Sequence, residues 1–97
     1  MKAIFVAYNQ AYNEEIVEVL DSFGQRGYTS WQDIQGRGSV EGEPHLGSHA
    51  WPVQNHALLA VVPDETAPQI LQALKEKDEA TSALGLRAFC WSVDSMI

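Results

Sequence analysis

The sequence predicts an α+β domain of order βαββαβ: a four-stranded antiparallel sheet with two helices on one face. A long loop joins the second and third strands. Three observations point there. Two short apolar runs, residues 2–8 (KAIFVAY) and 56–62 (HALLAVV), read as strands buried on both faces. Two other stretches each carry a single apolar stripe at helical spacing, and two such helices need a shared sheet face to bury it. Finally, residues 35–55 (QGRGSVEGEPHLGSHAWPVQN) separate two strand-like runs where a hairpin turn of about two to five residues is usual.

The first strand ends at Asn9-Gln10. Asn13 then offers a side-chain oxygen to cap a helix, and Glu14 and Glu15 suit the positive end of its dipole. Ile16, Val17, Leu20 and Phe23 form its stripe, with Glu14, Glu18 and Asp21 away from it. Gly24 and Gly27 bracket the stop. Residues 28–35 (YTSWQDIQ) alternate polar with aromatic and β-branched side chains, which predicts a more exposed strand. After the loop, the strand at 56–62 stops at Pro63, which cannot supply a ladder N–H. A second helix starts near Asp64 or Thr66, with Pro68 tolerated in its first turn and Ala67, Ile70, Leu71 and Leu74 as its stripe. Gly85 punctuates the chain before a last strand at 86–93. There Arg87, Phe89, Trp91 and Val93 share one face, and Leu86, Ala88, Cys90 and Ser92 the other.

Right-handed crossovers turn this order into the ferredoxin-like split βαβ, which leaves one sheet face without helices. Tyr28, Trp31, Phe89 and Trp91 are candidates for that face. A bare aromatic surface of this kind calls for burial, most simply by closed oligomerisation.

Ninety-seven residues fit one domain, 1–97. A net charge of −7 argues against nucleic acid as a partner, because that affinity rests on Lys and Arg neutralising phosphates. No apolar run approaches the ~20 residues of a membrane span. The first residues, MKAIFVAYNQ, carry one lysine and too short an apolar stretch for a signal peptide. A single cysteine, Cys90, excludes an internal disulfide and fits a reducing compartment, so a cytoplasmic protein is expected.

Within the long loop, Gly36-Arg37-Gly38-Ser39 directly follows a strand. Its glycines let the backbone approach a ligand and present N–H groups, and Arg37 can grip a phosphate or carboxylate. The same residues serve equally as a flexible loop stem, and no dinucleotide or P-loop fingerprint is present. Glu43, His45 and His49 lie within seven residues, with His56 following. Together they suit a divalent metal such as zinc, copper or nickel, or are solvated loop side chains. Cys90, in an apolar strand, reads as a small inert hydrophobe. Arg87, just after Gly85, is placed to reach a cleft between subunits or to pair with a surface acid. Trp51-Pro52 is expected to anchor the returning limb of the loop.

The arrangement resembles the PII-like signalling proteins. The residues that carry the resemblance are DIQGRGSVEGEPHLGSHAW, the strand HALLAVVPDE with the helix after it, and GLRAFCW. In that family a Gly-x-Gly opens the effector-reading T-loop, and a Gly-x-Lys precedes the last strand. Gly36-Arg37-Gly38-Ser39 and Gly85-Leu86-Arg87 match those places, with arginine replacing lysine. The match is greatest with the divergent PII-like branch. It implies a homotrimer, not an enzyme, holding ATP, ADP or a related nucleotide in inter-subunit clefts. The ligand-binding residues would be Gly36, Arg37, Gly38, Ser39 and Arg87, and the loop would regulate a partner such as a membrane transporter. Two departures stand out. Residues 36–55 contain no tyrosine, and residues 94–97 carry no arginine, unlike the phosphate-holding tail of the nitrogen regulators. Trimeric CutA-like proteins share the architecture and imply divalent metal at Glu43, His45 and His49. A small ferredoxin-like enzyme is the further alternative, with His56 or Tyr8 aimed into a cavity between sheet and helices.

Overall fold

The computed structural model describes residues 1–37, 42–50 and 52–97. Its elements are strand β1 (Lys2–Asn9), helix α1 (Asn13–Ser22), β2 (Thr29–Ile34), β3 (Asn55–Val62), α2 (Ala67–Ala80) and β4 (Arg87–Ser92). The sheet order is β2-β3-β1-β4, and every neighbouring pair is antiparallel. The two continuous apolar runs thus occupy the centre of the sheet, and the two alternating runs form its edges. This is the ferredoxin-like arrangement that the periodicities predict.

The pleat directs Ile4, Val6 and Tyr8 of β1 to the same side as Leu58, Ala60 and Val62 of β3. Ile16, Val19 and Leu20 of α1 and Ala67, Ile70 and Leu74 of α2 close over them to form one core. Val19 is buried where the expected stripe names Val17, which is half-buried, so α1 presents a slightly rotated face. No helix among the described residues is long and apolar enough to cross a membrane.

Asn13 does not cap α1. The chain leaves β1 through a single 3-10 turn, Gln10–Tyr12, and Asn9 caps that turn by accepting the Ala11 N–H at 3.0 Å. Asn13 instead accepts a hydrogen bond from the buried Tyr8 hydroxyl at 2.5 Å. The far end of α1 follows the residue chemistry closely. Gly24, at φ +75°, donates to Asp21 O, and Gln25 donates to Leu20 O, which together satisfy the last carbonyls.

Tyr8 and His56 face each other across β1 and β3, with ring centroids 5.6 Å apart. Both are buried in packed core. Burial pushes the His56 imidazole below its ordinary 6.5, while the Asp33 carboxylate pulls the other way. Because the folded value is depressed, His56 stabilises the fold fully above pH 6.5 and less as pH falls below it, until the folded value is passed. His56→Gln should therefore flatten the loss of urea resistance between about pH 7.5 and about pH 5 relative to wild type. Equal slopes for the two proteins would count against this assignment.

The opposite sheet face carries Phe5 and Ala7 of β1, Leu59 and Val61 of β3, and Phe89 and Trp91 of β4. Trp31 of β2 joins them, its ring 6.3 Å from that of Phe5. Trp31 (44%), Phe89 (57%) and Trp91 (49%) are widely exposed, so no described element covers this face. Cys90 departs from expectation. It sits on the helix side of β4, but β4 is a sheet edge and leaves Cys90 exposed.

Candidate functional site

The two limbs of the long loop are clamped where they leave the sheet. Gly36 N–H donates to His45 O at 2.9 Å, and His45 N–H donates back to Gly36 O at 2.6 Å. Farther along, Leu46 pairs with Gln54, and Gly47 N–H donates to Val53 O at 3.0 Å. Part of what reads as a structureless loop is therefore a short extension of the sheet. Asp33, just before it, has φ +56° in the irregular stretch where β2 shifts register against β3.

Three polar side chains are buried at this clamp: His45 (9% exposed), Asn55 (6%) and Asn9 (7%). Such burial is tolerated because each is hydrogen-bonded. His45 Nδ1 lies 2.6 Å from Asn55 Oδ1, and that oxygen only accepts. The neutral ring thus carries its proton on Nδ1 and leaves Nε2 as an acceptor. Asn9 Nδ2 donates to Ala83 O at 3.1 Å, which ties the end of β1 to the turn before β4. Both glycines at the site have steric reasons. The Asn55 amide occupies the space that a Cβ on Gly36 would need. Gly85 has φ +57°, and a Cβ there would come within 3.1 Å of the His45 ring.

Two clefts meet at Gly85 and Arg87. One, about 310 Å³, lies on the helix side and is lined by Asn9, Glu43, His45, Asp78 and Ser82 among others. The other, about 280 Å³, opens on the bare sheet face between Phe5, Phe89, Gly36, Arg37 and Asn55. Arg87 is exposed, and its Nη1 donates to the adjacent Leu86 carbonyl at 3.1 Å. Arg37 Nε donates to Gly42 O at 2.9 Å. Among the described residues neither arginine is paired with a carboxylate. Both therefore keep donors for an anion.

Gly36-Arg37 and Arg87, far from them in sequence, thus line one cleft. Gly36 acts differently from expectation, since its N–H is committed to His45 and its value lies in close packing against Asn55. Gly38, Ser39 and the proposed anchor Trp51 lie outside the described residues. Glu43 and His45 share the helix-side cleft, but His49 is exposed and does not line it. Among the described residues no group of three His, Cys, Asp or Glu side chains could hold a metal ion. Sequence reasoning missed Asn9, Asn55 and Asp78. The first two were legible only as polar residues flanking apolar strands, and Asp78 as one acid in a charged helix.

The nitrogen regulatory protein P-II family model matches residues 1–97. No curated protein sequence matches the chain significantly. Among solved structures, it is similar to a putative PII-like signalling protein from Thermus thermophilus. That match has 25% identity and a TM-score of 0.67, covering 95% of this chain and 84% of that one. It is also similar in fold to CPII, a nitrogen regulatory PII-like protein from Thiomonas intermedia, bound to ADP, AMP and bicarbonate. Here the identity is 21% and the TM-score 0.73, with 97% and 88% covered. The apo form of CPII matches at 20% identity and a TM-score of 0.68, with 95% and 89% covered.

Proposed function

The chain belongs to the nitrogen regulatory protein P-II family, and from that premise we propose a non-enzymatic signalling protein of the cytoplasm. Its effector is an adenine nucleotide of the ADP or AMP kind. The nucleotide sits where Gly36, Arg37 and Arg87 converge; Gly38 and Ser39, also expected to bind it, lie outside the described residues. Its binding changes the 36–55 loop, which then blocks or releases a partner such as a membrane transporter.

One observation carries the reading. Two guanidinium groups from distant parts of the chain, neither paired with a carboxylate among the described residues, stand on one cleft at the root of the loop, beside an apolar wall of Phe5 and Phe89. Guanidinium groups grip phosphate oxygens in forked pairs, and an aromatic wall suits a planar base. The nucleotides bound to CPII support the choice of ligand. No comparable convergence favours a divalent metal at Glu43, His45 and His49, since His49 does not share the cleft that the other two line.

Calorimetric titration with ADP and with AMP, each with and without bicarbonate, tests the proposal. Saturable binding of either nucleotide is expected, and no binding up to about 1 mM of both would overturn it.

The assembly we propose is a homotrimer closed through the bare sheet face. Because that cleft opens onto this face, a second subunit would complete it. Sedimentation equilibrium should give a trimer at micromolar concentration. Phe89→Asp should dissociate it, because a carboxylate would replace a ring whose burial is worth about 1.5–3 kcal/mol. A stable wild-type monomer would remove the trimer from the reading.

A further inference from the structure

We propose that the helix-side cleft is a second binding site, for a small organic cation that carries two protonated amines. This is independent of the nucleotide reading, which concerns the cleft on the sheet face.

His45 singles this cleft out. The residue is 9% exposed, and its Nδ1–H goes to Asn55 Oδ1 at 2.6 Å, so the neutral ring keeps Nε2 as an acceptor. No described group bonds that nitrogen. Among the described residues no sealed side-chain nitrogen or oxygen lacks a partner, so Nε2 reaches open space. The cleft that His45 lines is the helix-side one. A buried acceptor that looks onto a cleft calls for a donor from whatever fills it.

The other walls call for the same. Asp78 Oδ1 accepts the Leu86 N–H at 3.1 Å, which fixes the carboxylate and leaves Oδ2 without a described partner. Asp78 also lies in the last turn of α2, whose carbonyl end adds partial negative charge. It faces the neighbouring groove that holds Lys75 as well, but the ion pair of Lys75 runs to Glu79, at 3.9 Å. Glu43 is exposed on the loop limb and has no described ion pair. Arg87 is the one cation among the described lining residues, and the two carboxylates outnumber it. About 310 Å³ is enough for a small molecule.

The placement of these groups sets the form of the ligand. Glu43 and His45 come from the loop limb and Asp78 from α2, and the three do not form a group that could hold one metal ion. A ligand that satisfies them therefore carries donors at two ends. A short aliphatic diamine does so, with one ammonium on the loop wall and the other at the end of α2.

Calorimetry on the full chain with 1,4-diaminobutane, butylamine and magnesium chloride, at constant ionic strength, tests this. Wild type should bind the diamine saturably, and butylamine at least about tenfold more weakly, because it leaves one carboxylate unpaired. Glu43→Gln and Asp78→Asn should each weaken the diamine by about tenfold or more, through loss of one charge-assisted hydrogen bond. Asparagine keeps an oxygen for the Leu86 N–H, and the Glu43 side chain makes no described hydrogen bond, so thermal unfolding should stay near wild type. No saturable diamine binding to wild type up to about 10 mM would overturn the proposal whether or not the variants fold. So would unchanged diamine affinity in Glu43→Gln. Magnesium binding as tightly as the diamine would also overturn it, by marking general attraction to a chain of net charge −7. Each of these results leaves the nucleotide reading standing, since the titrations with ADP and AMP decide that separately.

Discussion

Replacing Arg87 by alanine is expected to weaken ADP or AMP binding by about 1.5–3 kcal/mol, the range for hydrogen bonds to a charged group. The fold should be almost unaffected. Arg87 is exposed at the start of an edge strand, and its described hydrogen bond runs only to the neighbouring carbonyl of Leu86. It contributes to neither helix stripe, so thermal unfolding should move by no more than about 0.5 kcal/mol. Binding is read by calorimetry and assembly by light scattering on the same samples. Unchanged affinity in a folded trimer would move the ligand away from this cleft. Weaker affinity together with lost assembly would mean that Arg87 acts through the subunit contact.

Leu58→Ala is expected to have the larger effect on stability, about 2–5 kcal/mol. Leu58 sits in the middle of central strand β3, opposite Val6 on one side and Ser30 on the other, and is fully buried. Helices close over it from above, and strands fix it on both flanks. The structure therefore cannot easily collapse into the space left behind, and the cavity adds to the lost transfer energy. A chemical denaturation midpoint with an unchanged slope would report the loss cleanly. A change below about 1 kcal/mol would mean that this part of the core relaxes freely.

The same residues show why the fold is so legible. Both faces of the two central strands are apolar, one set against the helices and the other on the bare sheet face, so KAIFVAY and HALLAVV can be placed at the centre of a sheet without any structure. The helix stripes and the glycine stop after Phe23 are equally plain, because each reflects local backbone chemistry. Asn13 misleads for a reason of the opposite kind. A capping oxygen is a local signal, but the Tyr8 hydroxyl, brought near by the core, claims Asn13. Cys90 looks buried because alternation tells which face a residue takes and not whether anything covers that face.

The candidate site is half legible. Glycine and arginine at 36–37 and 85–87 advertise their chemistry, and the family resemblance brings them together. Asn9, Asn55 and Asp78 acquire their roles only through contacts between segments far apart in sequence. His45 is the clearest case. Among neighbouring polar loop residues it reads as a metal ligand or a solvated side chain. In the folded chain it is a buried tie, bonded to Asn55 and packed against Gly85. Spacing along a loop carries no such information, since loops do not impose a fixed geometry.

The reciprocal hydrogen bonds between Gly36 and His45 have a consequence for how this chain can vary. They turn the segment from 37 to 44 into a cassette whose two ends are already joined. Because loop-closure entropy grows only as a logarithm of length, doubling that segment costs about 0.6 kcal/mol. The clamp residues Gly36, His45 and Asn55 tolerate little change, whereas added length between positions 37 and 44 costs little closure entropy. The sheet beneath can therefore carry a loop of different length at this place without being rebuilt.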